Sequence, residues 1–157
     1  MRRIALFIGM LLLVGAAPAY AFLGGLFGGS VEQVTARDGQ IVLDMKSLEK
    51  GASRHYSYQE GDAKIRFFLV RDREGTLRAA FDACEVCRKE GKGYQFENGV
   101  MVCVNCGRTF ALDRIGVAGG GCNPHPLAVT IEGDTVHVAV KDLLDGAGYF
   151  PENERKQ

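Results

Sequence analysis

Two pairs of cysteines constrain this chain more than any other feature of its sequence. Cys84 and Cys87 form one C-x-x-C pair, and Cys103 and Cys106 form a second, with fifteen residues between the pairs. A C-x-x-C turn can place two sulfurs on one metal ion while backbone amides of the turn point at the thiolates. The spacing C-x2-C-x15-C-x2-C is typical of a four-thiolate metal site. We therefore expect these four cysteines to hold a metal ion or cluster, whose identity the spacing leaves open.

The segment between the two pairs carries the signal of a β-hairpin. Asn98-Gly99 separates two apolar-rich runs, 93–97 and 100–102, and Asn-Gly suits a type I′ turn because both central residues need positive φ. Such a hairpin explains how two distant pairs could meet. Gly107, directly after the second pair, would allow the backbone to double back. The expected local structure is a double C-x-x-C hairpin of the zinc-ribbon or rubredoxin kind.

Three other uses of cysteine compete with metal binding. Disulfides are common outside the cytoplasm, and four cysteines allow three connectivities, although two C-x-x-C pairs exceed what a structural bridge requires. Thiol–disulfide exchange also uses C-x-x-C motifs, but the βαβ context of thioredoxin-like proteins is missing here. Both interpretations stay open. Covalent haem attachment is excluded, because it needs C-x-x-C-H and the two pairs are followed by Arg88 and Gly107.

A fifth cysteine lies in a glycine- and proline-rich loop, the run G-G-G-C-N-P-H-P at 119–126. The glycines let the backbone approach a site closely, and the prolines stiffen the exit from it. Cys122 is therefore a candidate additional or alternative ligand, or a reactive thiol near the cluster; the other interpretation is a small buried residue in a rigid loop. His125 is a further candidate metal ligand, although a lone loop histidine is more often solvated. Asp82 and Glu85, beside the first pair, either orient ligands or only raise solubility.

The N-terminus has the pattern of an export signal. Arg2-Arg3 precedes an uninterrupted apolar run over 4–14, and Ala19-Tyr20-Ala21 supplies the small residues of a cleavage site. We expect a signal peptide over residues 1–21; an uncleaved anchor is the alternative, since the next charged residue is Glu32. A twin-arginine signal is a weaker match than a general secretory one. The domain is expected in the periplasm or at the outer face of the inner membrane, with the N-terminal segment as a potential tether.

The remaining composition is that of one β-rich domain. A chain of 157 residues is long enough for a single core. Charged residues at 24% and a mean hydropathy of -0.02 exclude intrinsic disorder and a multi-span membrane protein. The 21 glycines favour short strands and tight turns. Because 19 basic residues balance 19 acidic ones without a long basic run, nucleic acid is not an expected partner.

Local patterns predict where these strands lie. Alternating or continuous apolar runs predict strands at 41–44, 54–58, 64–71 and 77–81, and a late hairpin over 130–140. We expect one helical turn at 46–50 and a short helix over 142–147, capped by Gly148. The predicted fold class is mainly β, or β-rich α+β, with small antiparallel sheets and short helices. The predicted divisions are a linker over 22–35, a single four-cysteine metal-binding domain over 36–150 and a polar tail over 151–157.

Five short motifs follow one another between residues 55 and 127: I-R-F-F at 65–68, A-A-F-D-A-C-E-V-C at 79–87, K-G-Y at 92–94, V-C-V-N-C-G at 102–107 and G-G-C-N-P at 120–124. In this order they resemble a bacterial family described as membrane iron–sulfur-containing and FtrD-like. The resemblance implies that Cys84, Cys87, Cys103 and Cys106 are the ligands of an iron–sulfur cluster or a single iron, with Cys122 as a candidate fifth ligand.

The resemblance also implies a role. It points to an electron carrier or metal-binding accessory protein, rather than an enzyme, that serves uptake of ferrous iron or another transition metal. The implied partners are a membrane permease or periplasmic metal-binding and redox proteins. This chain departs from the larger family members, which carry several membrane spans. A chain secreted unfolded cannot carry a preassembled cluster, so the alternative is a non-catalytic partner-binding module stabilised by structural zinc.

Overall fold

The structure is a computed structural model that describes residues 30–150. The expected signal peptide, the first part of the expected linker and the expected tail lie outside the described residues. Ten strands and one α-helix form within them: β1 (Val31–Val34), β2 (Gln40–Asp44), β3 (Ala52–Glu60), β4 (Ala63–Arg71), β5 (Leu77–Phe81), β6 (Tyr94–Glu97), β7 (Val100–Cys103), β8 (Thr109–Ala111), β9 (Thr130–Glu132), β10 (Thr135–Ala139) and α1 (Val140–Asp145). Short 3-10 helices lie at Arg88–Glu90, Leu112–Arg114 and Ala147–Tyr149.

The strands form three small sheets. Their orders are β1-β3-β4-β5, β2-β10-β9 and β6-β7-β8. Every described pair is antiparallel except β1 with β3, which is parallel. The predicted fold class, mainly β with small antiparallel sheets and short helices, is confirmed.

The strand β4 divides the interior into two cores. Its residues alternate between the two faces of the central sheet, because successive side chains of a strand point to opposite sides. Ile65, Phe67 and Leu69 belong to a first core, and Phe68 and Val70 belong to a second. All five are fully buried, which explains why this strand is a continuous apolar run.

The two cores differ in position and in composition. The first core lies between the central sheet, the sheet β2-β10-β9 and α1, and it includes Ile41, Val136 and Leu143. The second core is smaller and includes two of the cysteines, Cys84 and Cys103. The cysteines are therefore attached to the opposite face of the same sheet that carries the main core.

The Asn-Gly hairpin forms as predicted. Tyr94 pairs with Cys103 and Glu97 pairs with Val100, and the turn residues Asn98 and Gly99 have φ values of 49° and 83°. Positive φ at both positions is the requirement of a type I′ turn. The hairpin delivers the second C-x-x-C pair to the central sheet.

Residues 31–34, at the end of the expected linker, are a strand. β1 pairs in parallel with β3, with Val31 opposite His55 and Val34 opposite Tyr58. Of its four residues only Val34 is buried, so the sequence has no alternating pattern there. A parallel neighbour is joined by a long connection rather than a turn, and no local signal marks it.

Near the second sheet, the predicted helical turn is wrong, and the predicted C-terminal helix is present with shifted bounds. Residues 46–50 form a tight turn, not a helical turn, because the amide of Met45 donates to the carbonyl of Asp134 at 2.8 Å and Leu48 closes back onto Met45. The C-terminal helix begins at Val140 and ends with Gly146 as its C-cap, two residues earlier than predicted at each end. A Cβ at Gly146 would overlap the Phe81 ring, so the helix ends where it meets the central sheet.

Candidate metal centre

Three segments bring the five cysteines together. The turn after β5 carries Cys84 and Cys87. The last residue of β7 is Cys103, and the turn that follows carries Cys106. The loop over 119–126 carries Cys122. That loop runs along β5, where Phe81 donates to the carbonyl of His125 at 2.8 Å and His125 donates to the carbonyl of Ala83 at 3.0 Å. The central sheet thus fixes the first turn and the third segment against each other.

The cysteine sulfurs form two groups of three. The Sγ atoms of Cys84, Cys87 and Cys103 all lie within 4.8 Å of one another, and so do those of Cys87, Cys106 and Cys122. The Sγ atoms of Cys106 and Cys122 are 4.0 Å apart. All five cysteines are free thiols, and Cys87 is the member that both groups share.

This arrangement differs from a single site formed by the four cysteines of the two C-x-x-C pairs. The structure brings Cys84, Cys87 and Cys103 into one group and pairs Cys106 with Cys122 in the other. Among the described residues, no such group joins the four cysteines of the two C-x-x-C pairs. The sequence allowed two interpretations of Cys122, a ligand or a small buried packing residue. In the structure it lies beside the exposed Cys106.

Backbone amides approach the sulfurs in both C-x-x-C turns. The amide of Cys87 donates to the sulfur of Cys84 at 3.3 Å, and the amides of Asn105 and Cys106 lie where they can donate to the sulfur of Cys103. Gly107, with φ of 71°, turns the chain back so that its amide donates to the carbonyl of Cys103 at 2.9 Å. These donors stabilise negative charge on sulfur, which a metal-binding thiolate requires.

Asp82 connects the turn that carries Cys84 and Cys87 to the β6–β7 hairpin. Its buried carboxylate accepts the amide of Tyr94 at 2.6 Å and lies 3.4 Å from the guanidinium of Arg66. Arg66 also donates to the carbonyl of Gly91 at 2.8 Å. A Cβ at Gly93 would overlap the Asp82 carboxylate. Asp82 therefore connects the end of β5, just before the first cysteine pair, to the hairpin that carries the second pair.

Glu85 and Tyr94 hold the third segment. The Glu85 carboxylate accepts the amide of Gly121 at 3.3 Å, and the amide of Val86 donates to the carbonyl of Gly121 at 3.4 Å. The Tyr94 hydroxyl donates to the carbonyl of Cys122 at 2.6 Å. Burial, and next the neighbouring Cys84, raise the pKa of Tyr94, so its hydroxyl remains a donor. The position of Cys122 is therefore defined by side chains of the other two segments.

Burial raises the pKa of several thiols. It raises the pKa of Cys103 to about 11 and raises that of Cys122 as well. The pKa of Cys87 is also above its ordinary value: a hydrogen bond with Asn105 lowers it, but burial and the charge of Cys84 act in the opposite direction and outweigh that bond. Metal binding would have to displace protons from these positions.

Cys106 has the opposite shift. The backbone amide of Arg108, and next the thiol of Cys103, lower the pKa of Cys106 to about 7. Cys106 is also exposed. The cluster thus has a buried side at Cys84 and Cys103 and a solvent-facing side at Cys106.

His125 lies outside both sulfur groups. Its imidazole packs against the Tyr149 ring with centroids 4.3 Å apart and the ring planes tilted by 32°, and the Tyr149 hydroxyl is 3.3 Å from Nε2. Its Nδ1 is buried and has no hydrogen-bond partner. The structure therefore does not bring this candidate ligand to the cysteine sulfurs.

Arg66 and Tyr94 are site residues that the sequence analysis did not single out. Arg66 is the only charged residue inside the apolar run 65–70, and a charge in a buried strand indicates a buried partner. That signal points to Asp82, which follows the neighbouring strand. The contact of Tyr94 with Cys122 depends on the loop over 119–126 and has no local signal.

These features define a β-rich protein with a cluster of free thiols that can hold a metal. The chain belongs to the family described as membrane iron-sulfur containing protein FtrD-like, whose model matches residues 48–150. The matched residues include all five cysteines, and the resemblance predicted from the five motifs is confirmed. Searches of curated proteins and of solved structures found no match. Within residues 30–150, no helix is long and apolar enough to cross a bilayer.

Proposed function

We propose that this chain is an exported electron-transfer protein whose cysteines hold an iron–sulfur cluster or iron. The observation that carries the proposal is the pair of three-sulfur groups, each with its Sγ atoms within 4.8 Å of one another. Soft thiolate ligands select iron–sulfur clusters and zinc over hard cations. The family description, which names iron–sulfur, favours the cluster over zinc.

The donor set fits such a group. Cys84, Cys87, Cys103 and Cys106 are the proposed ligands, with Cys122 beside them, and the amides directed at Cys84 and Cys103 stabilise thiolate charge. When bound, an iron–sulfur cluster supplies one-electron chemistry at a potential set by charge, hydrogen bonds and exposure. The exposed Cys106 marks the side on which a redox partner would approach.

The cellular role is part of the same proposal. We place the chain in the periplasm or at the outer face of the inner membrane, where it serves uptake of ferrous iron with a permease or periplasmic metal-binding and redox proteins. The family description as a membrane protein supports the association with a membrane, and the export pattern of residues 1–21 is the basis for the periplasmic side. Cells that lack the chain should take up ferrous iron more slowly, and unchanged uptake would contradict the role.

The test of the metal centre is chemical analysis of protein purified anaerobically from its native envelope. We expect bound iron, acid-labile sulfide and visible charge-transfer absorption. Cys103→Ser should lose all three, because Cys103 is a buried member of the first sulfur group. Thr130→Ser, an exposed change in the second sheet, should keep them. Wild-type protein with neither iron nor absorption would contradict the proposal.

A structural zinc ion is the second candidate. The observation that favours it is the 4.0 Å separation of the Cys106 and Cys122 sulfurs, since two thiolates on one tetrahedral zinc at about 2.3 Å lie about 3.8 Å apart. The domain would then be a partner-binding module without a redox role. Zinc without iron in the native protein would favour this candidate, whereas less than one zinc per chain with every thiol titratable would exclude it.

A further inference from the structure

We propose that the centre has two metal positions and that the thiolate of Cys87 binds both. One position belongs to Cys84, Cys87 and Cys103, and the other to Cys87, Cys106 and Cys122. This proposal deepens the proposed function and depends on it, because it specifies how many metals the same cysteines hold.

The first argument is the arrangement of the sulfurs. Four thiolates around a single tetrahedral ion must all lie about 3.8 Å from one another. Two sets of three sulfurs come close to that condition, with every separation inside 4.8 Å, and the four sulfurs of the two C-x-x-C pairs do not form one such set among the described residues. Two ions that share one ligand fit the two sets, whereas one ion leaves part of the cluster without a metal.

The second argument is charge. Five thiolates, counting Cys122, carry five negative charges, and one divalent ion would leave three of them uncompensated in a region where Cys84 and Cys103 are buried. Two divalent ions leave one. Because uncompensated charge in a buried site is strongly unfavourable, full use of the five cysteines as thiolates favours two ions. A thiolate sulfur has more than one lone pair, so Cys87 can bind both.

The third argument is that Cys122 is held in place by the other segments. The Glu85 carboxylate and the amide of Val86 bind Gly121, and the Tyr94 hydroxyl binds the carbonyl of Cys122 itself at 2.6 Å. The side-chain Nδ2 of Asn123 closes the loop by donating to the carbonyl of Gly120 at 3.0 Å. These contacts place the fifth sulfur 4.0 Å from that of Cys106, as a ligand of the second position requires.

The test counts metals on the reduced, metal-free chain. Cd²⁺ is added anaerobically and the complex is analysed by native mass spectrometry and by ¹¹³Cd NMR. We expect two Cd²⁺ per wild-type chain, with two resonances coupled to each other through the shared sulfur. Cys122→Ser and Cys122→Ala should each bind one, with no coupling. Thr130→Ser, an exposed change in β9 of the sheet that carries none of the cysteines, is the matched control and should bind two.

The outcomes separate this proposal from the proposed function. One Cd²⁺ per wild-type chain, or two without mutual coupling, would overturn the shared two-metal centre while leaving a metal-binding role intact. No Cd²⁺ at all would overturn both. The wild-type count is decisive by itself, so the test does not depend on the folding of a variant.

Discussion

Asp82 connects the central sheet to the cysteine centre through contacts with three other residues. It follows β5 directly, its carboxylate accepts the amide that begins β6, and it lies beside Arg66 of β4. The close approach is possible because Gly93 has no side chain. One carboxylate therefore sets the distance between the first cysteine turn and the hairpin that carries the second.

We predict that Gly93→Ala destabilises the fold and weakens metal binding. The residue has φ of +68°, and its new Cβ would overlap the Asp82 carboxylate. The left-handed backbone alone costs an alanine roughly 1–2 kcal/mol, and the overlap adds about 1–3 kcal/mol. Urea unfolding and Cd²⁺ titration measure the two effects.

Gly133→Ala is the matched control for this prediction. It has φ of +61°, and nothing lies within 4 Å of the position of its Cβ, so it carries the backbone cost without the overlap. Equal unfolding midpoints for the two variants would mean that the contact with Asp82 is not important.

At the scale of elements, the end of α1 is fixed by its contact with the central sheet. Gly146 is the C-cap of the helix, and its Cα lies against the ring of Phe81 at the end of β5. The following 3-10 helix, Ala147–Tyr149, then brings Tyr149 to His125. The short helix is thus held against the sheet and the loop that carries the fifth cysteine.

We predict that Gly146→Ala destabilises the protein by about 1–3 kcal/mol, because the added methyl group must displace the Phe81 ring. Gly148→Ala should change the unfolding free energy by less than about 0.5 kcal/mol, since the space at Gly148 is open. Thermal and urea unfolding of both variants provide the measurement. A larger effect at Gly148 would show that the contact of Gly146 with Phe81 does not position the helix end.

The elements that the sequence predicted well are those with a local signal. The Asn98-Gly99 turn and the apolar run of β4 each specify their structure within a few residues. β1 and β8 were not predicted, because a four-residue parallel strand and a three-residue edge strand depend on partners that lie far away or have little pattern. The end of α1 was misplaced because it depends on Phe81, which is distant in the sequence.

In the candidate site, too, the features with a local sequence signal were predicted and those that depend on distant contacts were not. Spacing alone indicated the cysteines of the two C-x-x-C pairs, and their turns do lie together. The sequence indicated Cys122 as a candidate ligand, but not its place beside Cys106, because that place depends on hydrogen bonds of Glu85 and Tyr94 with a loop about thirty residues further along the chain. The placement of His125 against Tyr149 is likewise a long-range contact.

At the scale of the whole molecule, the two cores face opposite sides of one sheet and differ in what holds them together. The first is formed by large apolar side chains such as Phe67, Ile41 and Leu143. The second is smaller and contains Cys84 and Cys103, so a bound metal would contribute directly to its stability. Stability should therefore differ between the two halves.

We predict that metal removal loosens the cysteine half selectively. Hydrogen exchange of the metal-loaded and chelator-treated protein should show faster exchange in β6, β7 and β8, while the amides of β3 and β4 keep most of their protection. The control is Thr130→Ser, which should respond as wild type does. An equal loss of protection in both halves would contradict separate stabilities.

The parallel pairing of β1 determines the side from which the chain enters the domain. Val31, at its start, and Val104, inside the second cysteine turn, line the same groove together with Phe96, and all three are exposed. A fusion partner or an anchor attached before Ser30 would begin on the same side of the molecule as the cysteine centre. An N-terminal affinity tag could therefore obstruct access to Cys106, and a tag placed elsewhere is the better choice for metal-loading experiments.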